Sequence, residues 1–306
     1  MVYEGRIIDA HCHVASVEFT PPSFIEGVID NQLRRLAALG IHISRNRLRD
    51  QYLQKMQDSD CAELVSEMDE AGIEKSVLLL PDLTYALRDS KLSIAEMFDR
   101  HRTILQARPD RFFVFAGVDP RWGADGLQLF ERAVTEYGFH GLKLYPPCGY
   151  SPSDRSLYPF YEICMKHHLP VISHIGASSP ALAFDSSLPI HIDRAARDFP
   201  TVNFILGHGG VQYVEEGVMM CAYRPNVYID ISGFESRPLT HLTSLFLHNI
   251  SHKIVFGTDW PVFRLQGTQN YIIGSLLDNE GPLRGLRRPE LFGFLSGTIE
   301  SLLNIS

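Results

Sequence analysis

The stretch Ile7-Ile8-Asp9-Ala10-His11-Cys12-His13-Val14 decides how the rest of the chain is read. It is an apolar run that ends in metal-seeking side chains. Side chains in an extended strand repeat every second residue, so His11 and His13 share one face and Cys12 points the other way, toward packing. Two imidazoles on one strand edge are half of a metal site. A doubly wound open sheet, the competing α/β architecture, would carry a Gly-rich phosphate turn here, after its first strand. His-Cys-His in that place argues for a barrel.

Working outward, short apolar strands of the same kind recur at 76–81, 112–118, 141–145, 170–174, 202–208, 227–231 and 254–257. Continuous apolar strands belong to parallel sheets covered by helices on the outside. Between them lie segments with helical spacing of apolar residues, at 61–71, 93–107, 126–137, 157–164, 192–199, 214–223 and 239–249, with closing helices at 268–277 and 289–303. Asp60-Cys61-Ala62-Glu63 reads as a capping box for the first of these. Units of strand plus helix about 30 residues apart have the size of a βαβ repeat. Eight of them predict an α/β fold of the (β/α)8 TIM-barrel type, with residues 1–306 forming one domain.

One interval breaks the rhythm. Residues 15–59 open with Thr20-Pro21-Pro22-Ser23 and continue as helical material at 24–39, a break at Gly40 and a polar stretch at 45–57. This helical insertion after the first strand is either a lid over the site or a solvated hairpin.

Bulk properties narrow the class. A hydrophobic share of 45% with 21% charged residues suits a globular protein with a large core. The net charge of −8, with acids and bases mixed along the chain, argues against a nucleic-acid surface. No apolar run approaches the roughly 18 residues of a membrane span, and the start lacks the look of a secretory signal, so a cytoplasmic location is expected. Cys12, Cys61, Cys148, Cys164 and Cys221 are odd in number and contain no Cys-x-x-Cys pair, which favours neither disulfides nor a thiolate zinc site. The partner expected is a small-molecule substrate, with a homodimer as a possible assembly.

Active sites of such barrels lie at the carboxyl ends of the strands. Strand one ends in His11 and His13, strand four in Lys143 and Tyr145, strand five in His174, strand six in His208, strand seven in Asp230 and Ser232, and strand eight in Asp259. The remaining histidines, His101 and His140 among them, read as surface residues. Three imidazoles and a carboxylate suit zinc, with manganese as the alternative, and a water completing the coordination. Such a site makes activated water available near neutral pH, and Asp259 is placed to act as general base.

The set Asp9-Ala10-His11-Cys12-His13, Gly141-Leu142-Lys143-Leu144-Tyr145-Pro146-Pro147, Ser173-His174, Leu206-Gly207-His208-Gly209-Gly210, Asn226-Val227-Tyr228-Ile229-Asp230 and Phe256-Gly257-Thr258-Asp259-Trp260-Pro261 resembles the amidohydrolase superfamily. It is similar to the amidohydrolase-related branch that includes aminocarboxymuconate-semialdehyde decarboxylase, resorcylate-type decarboxylases and pyrone-dicarboxylate lactonase. The resemblance covers nearly the whole chain outside 15–59. It implies His11, His13, His174 and Asp259 as metal ligands, with His208 polarising the substrate or positioning water. One ion is implied, or two if Lys143 is carboxylated and bridges them.

Lys143 keeps three readings: a carboxylated bridge, a contact to a substrate carboxylate, or a structural ion pair. Tyr145, Trp260 and Arg264 follow strand ends and are expected to bind substrate, although Trp260-Pro261 also suits loop packing. Asp9, Asp119 and Asp230 either orient a histidine or satisfy local backbone donors. The leading expectation is a hydrolase of an amide, ester or lactone bond in a small molecule, working by metal-activated water. The alternative is a metal-dependent non-oxidative decarboxylase of an unsaturated or aromatic acid, and a third is a non-catalytic ligand-binding barrel.

Overall fold

Strands that are apolar on both faces must be covered on both, and closing the sheet on itself does this without leaving an edge. The computed structural model describes residues 3–233, 240–262 and 267–305. Its main sheet has eight strands in sequence order: β1 (Ile8–Cys12), β2 (Lys75–Leu80), β3 (Phe112–Gly117), β4 (Gly141–Leu144), β5 (Val171–His174), β6 (Phe204–Gly207), β7 (Val227–Asp230) and β8 (Ile254–Val255). Every neighbouring pair is parallel. The first and last strands meet through Ala10 N to Phe256 O (2.9 Å), Asp259 N to His11 O (2.8 Å) and His13 N to Trp260 O (2.8 Å). The architecture is the (β/α)8 barrel.

Asp9 reinforces that seam. Its carboxylate accepts from the backbone N–H groups of His11 and Thr258 (3.0 Å each), from Thr258 Oγ1 (2.5 Å) and from Gln269 Nε2 (3.1 Å). Burial pushes the Asp9 carboxyl up to about 6 despite these donors. Side-chain alternation along the strands divides the interior in two. Ile8, Ala10, Val77, Leu79, Phe113 and Phe115 join an inner cluster with Ile299 and Leu302 of the C-terminal helix, while Leu78, Val114 and Leu142 belong to the outer cluster, joined by Cys12 because the register of β1 shifts between Asp9 and Cys12.

The helix at 62–71 is capped differently from the expectation. Cys61 precedes it in a left-handed conformation (φ 61°), and Asp58, not Asp60, accepts from the N–H groups of Glu63 (3.1 Å) and Leu64 (2.9 Å). Asp58 is held in place by the short antiparallel pair of Ala15–Ser16 with Gln57–Asp58, which brings the chain back from the insertion. A capping box does form at Ser93 and Glu96.

The insertion is a hairpin of α1 (Pro22–Ala38) and α2 (Arg45–Gln54), with its own small core of Ile25, Ile29 and Leu48. Three barrel loops hold it. Asp89, beyond β2, accepts from Ser23 N (2.7 Å) and Oγ (2.8 Å). Ser179, beyond β5, donates to Phe24 O (2.8 Å), and Lys55 donates to Val262 O (3.1 Å), beyond β8. Gly27 permits the second contact, because a Cβ there would lie 2.5 Å from Ser179 Oγ.

His101 is not a surface residue. It is 1% exposed, packs on Phe19 (ring centroids 5.1 Å) and donates through Nδ1 to Met97 O (2.8 Å). The helical periodicity around it was apolar enough to absorb an imidazole in its neutral form. Burial lowers its pKa from 6.5 to about 4. Between those two values the unfolded chain binds a proton that the folded chain refuses, so stability is intact above pH 6.5 and is lost as pH falls toward 4. His101→Phe should therefore lessen the stability lost between pH 7 and pH 5 by about 2 kcal/mol. Urea denaturation at the two pH values reads this directly, and an unchanged difference would reject the assignment.

Candidate metal centre

Each side chain at the strand ends has a defined anchor. His11 Nδ1 lies 2.7 Å from Asp230 Oδ2, a carboxylate oxygen that can only accept, so Nδ1 carries the proton. His13 Nδ1 lies 2.7 Å from Leu79 O and is a donor by the same argument. Both Nε2 atoms are left with bare lone pairs, and both face Asp259 Oδ1, at 3.6 Å from His11 and 3.2 Å from His13. Acceptors facing acceptors need a cation between them. His11 Nε2 is buried with no hydrogen-bond partner, as a metal ligand would be before its ion is counted.

The electrostatics agree. Burial, followed by the charges of Lys143 and His208, drives the pKa of His11 well below 6.5. His174 is driven down by burial, His208 and Lys143. Both are in the neutral form that binds metals. Burial pushes the Asp259 carboxyl up, but the surrounding imidazoles of His13, His208 and His11 outweigh it and hold the carboxyl below its usual range. A hydrogen-bonded orienting group behind each ligating imidazole is the usual support of a metal site. The donor set therefore fits a divalent ion.

Asp230 settles its own two readings by doing both. It orients His11, and it accepts from His208 N (2.7 Å), Ser232 N (3.1 Å) and Ser232 Oγ (2.6 Å). Ser232 Oγ, having given its proton to Asp230, accepts from His208 Nδ1 (2.9 Å) and lies 2.9 Å from His11 Nδ1, whose own proton is on Asp230. One carboxylate and one hydroxyl thus fix the tautomers of two histidines. His208 and Asp259 both adopt left-handed backbone (φ 66° and 62°), a conformation that non-glycine residues keep only when the surroundings enforce it. Gly257 allows the β8 loop to reach this position, because a Cβ there would come within 2.8 Å of His11 Cβ.

Three of the four expected ligands, His11, His13 and Asp259, place donor atoms within 4.8 Å of one another. His174 stands one ring away, edge-to-face with His208 (ring centroids 4.7 Å) and tilted against Tyr145 (4.6 Å), with Nε2 3.3 Å from Ala177 O. A second donor cluster, His11, His208 and Asp230, is the hydrogen-bonded array around Ser232.

Lys143 is 1% exposed and its Nζ has no hydrogen-bond partner, so it is not engaged in a structural pair. Burial lowers its pKa to about 8, against the opposing pull of Asp230 and Asp259. Tyr145 packs on His174 and pairs its hydroxyl with Ser178 Oγ. Trp260 is fully buried in the main apolar cluster, where it packs at the barrel seam, the second of its two readings. Asp119 is also structural, binding Arg121 through N, Nε and Nη2. Arg264 lies outside the described residues.

The sequence reading missed Tyr52. It comes from α2 of the insertion, half-buried, and its phenol is pushed up to about 12 by burial and then by the charge of Asp259. The available signal was an aromatic residue four positions after Leu48 in a stretch that is otherwise almost wholly polar.

The sequence profile of the amidohydrolase family matches residues 8–281. The chain belongs to the amidohydrolase family. This amidohydrolase is 35% identical over 97 residues to 2-keto-4-carboxy-3-hexenedioate hydratase from a Sphingobium species, a match covering 26% of this chain and 28% of the hydratase. Among solved structures it is similar to 2,6-dihydroxybenzoate decarboxylase from Rhizobium, at 18% identity, 97% and 99% coverage of the two chains and a TM-score of 0.66. It is also similar to a variant 5-carboxyvanillate decarboxylase from Novosphingobium aromaticivorans with bound manganese, at 15% identity, 99% and 98% coverage and a TM-score of 0.67. These two likenesses concern the fold.

Elemental analysis of the purified amidohydrolase should find about one divalent ion per chain, the stoichiometry of a site with one open position. His11→Ala should lose the ion with an unchanged circular dichroism spectrum. Asp230→Asn should weaken metal binding roughly 10- to 100-fold, since it removes only the group behind the ligand. Full metal occupancy in His11→Ala would reject the site.

Proposed function

We propose that this amidohydrolase-family enzyme is a metal-dependent, non-oxidative decarboxylase of an unsaturated or aromatic carboxylic acid. The observation that carries the reading is Lys143. A buried ammonium with no partner, within electrostatic reach of Asp230 and Asp259, is costly unless an anion joins it. Hydrolysis of an amide, ester or lactone, which the sequence reading favoured, uses the same ligands but gives that cation no task with a neutral substrate.

His11, His13 and Asp259 would hold the ion, with His174 as the fourth candidate. When bound, zinc or manganese supplies a Lewis acid that polarises substrate oxygens and accepts developing negative charge. The protein's own groups do the rest. Lys143 takes the carboxylate or a neighbouring oxygen anion and orients it. As the bond between carbon and the carboxylate breaks, carbon dioxide leaves without the electron pair, which stays on carbon. A proton must replace it. His208 is placed for this, because its Nδ1 proton is fixed on Ser232 and its Nε2 is free to carry the transferable one. Until it delivers that proton His208 carries a positive charge, which Asp230 offsets through the Ser232 hydroxyl; once the proton is on carbon, His208 is neutral.

The two decarboxylases of the same fold and the hydratase are all named for carboxylic acids, which supports an acid as substrate. The partial match to the hydratase favours a second reading, addition of water across a carbon–carbon double bond of such an acid.

A panel of hydroxybenzoic acids and unsaturated dicarboxylic acids, incubated with zinc- or manganese-loaded enzyme in deuterium oxide, should release carbon dioxide and leave deuterium on the vacated carbon. Hydration instead would retain the carboxylate and add a hydroxyl. Turnover of lactones or N-acyl compounds, with none of the acids consumed, would overturn the proposal in favour of hydrolysis.

A further inference from the structure

The hairpin of α1 and α2 is fastened to loops that follow three different strands, β2, β5 and β8, so it spans the carboxyl end of the barrel as a fixed roof. Its attachment beyond β8 has a particular consequence. Lys55 donates to Val262 O while its Nζ lies 4.8 Å from the centre of the Tyr52 ring. Val262 N in turn donates to Asp259 O (2.8 Å). The last turn of α2 is thereby pinned to the same tight turn that presents Asp259.

Opposite, Tyr145 is held from two sides: its N–H donates to Tyr150 Oη (2.6 Å), and its hydroxyl pairs with Ser178 in the loop that also anchors α1. Two phenols therefore flank the donor set, one from the barrel wall and one from the roof. The Tyr145 hydroxyl has a protein partner. The Tyr52 hydroxyl has none among the described residues, while its ring is held by Lys55 and by the hairpin core.

We propose that Tyr52 is a substrate-contacting residue that sets specificity: its hydroxyl donates to an oxygen anion of a planar, conjugated carboxylic acid lying between the roof and the metal ligands. The proposal rests on the acid substrate named above for the class of ligand, and it adds the contribution of residues 15–59. A rigid phenol suits this task. It offers a flat apolar face to a conjugated system and a single donor at fixed reach, at little cost in side-chain freedom.

The test measures binding, so it does not depend on which bond the enzyme breaks. Salicylate is titrated by calorimetry into the manganese-loaded protein, wild type and variants. Tyr52→Phe, which removes one oxygen, should weaken salicylate binding about tenfold with unchanged metal content and thermal midpoint, the effect of losing one hydrogen bond to an anion. Tyr52→Ala should weaken it further, and Tyr271→Phe, at an exposed tyrosine of another helix, should leave it unchanged. Equal affinities for wild type and Tyr52→Phe, or no saturable binding of salicylate to the wild type, would overturn the inference. If Tyr52→Phe weakens binding while no acid is decarboxylated, the inference stands and the reaction assignment alone fails.

Discussion

Everything at the mouth of this barrel depends on how its last strand is joined to its first. The join is short: β8 has two ladder residues, and beyond it the chain runs against β1 through single hydrogen bonds. Asp9 makes the seam strong by gathering four donors from both sides and from the helix beyond. A buried carboxylate with so many donors is stabilising only if all of them are present, since an unmatched buried charge is penalised by several kcal/mol. The seam therefore specifies one register, and that register sets Asp259 beside His11 and His13. Barrel closure and ligand assembly are one event.

Behind that seam stands a second layer, Asp230 with Ser232. Its effect is to choose which nitrogen of each histidine is bare. His11 donates to Asp230 directly and His208 through the Ser232 hydroxyl, so one carboxylate stands behind both imidazoles. A change at either is transmitted through that carboxylate, and the site behaves as a unit instead of a list of separate ligands.

How much of this was legible in the sequence follows from what kind of rule governs each part. The strands obey a local rule: apolar on both faces, bounded by helix periodicity, and so they were readable one by one. The strand-end residues inherit their position from the strand, which is why His11, His13, His208 and Asp259 could be named before any geometry was known. Asp58 as a cap, the burial of His101 and Trp260, and the placement of Tyr52 are tertiary facts. Each depends on a partner far away in sequence: the β-pair at Ala15–Ser16, Phe19, the barrel seam and the turn after Asp259. A local pattern carries no information about such partners, so a polar helix with one tyrosine looks the same whether it roofs a site or lies in water.

Charge counting ties the site to its ligand. Asp230 and Asp259 contribute two negative charges and Lys143 one positive, while His11 and His174 are kept neutral. Before His208 gains the proton it is to deliver, these groups leave one negative charge in excess in a buried volume, which a divalent ion converts to one positive. A low-dielectric site does not tolerate that excess well either, because the attraction of an unpaired charge for a counter-ion is many times stronger there than in water. The balance closes with a ligand carrying a single negative charge, such as one carboxylate. In the proposed decarboxylation, the negative charge would stay on carbon when neutral carbon dioxide leaves, until the proton delivered by His208 removes it. The same arithmetic fits a Lys143 without a hydrogen-bond partner: an acid paired to it permanently would already supply the negative charge that a substrate carboxylate brings.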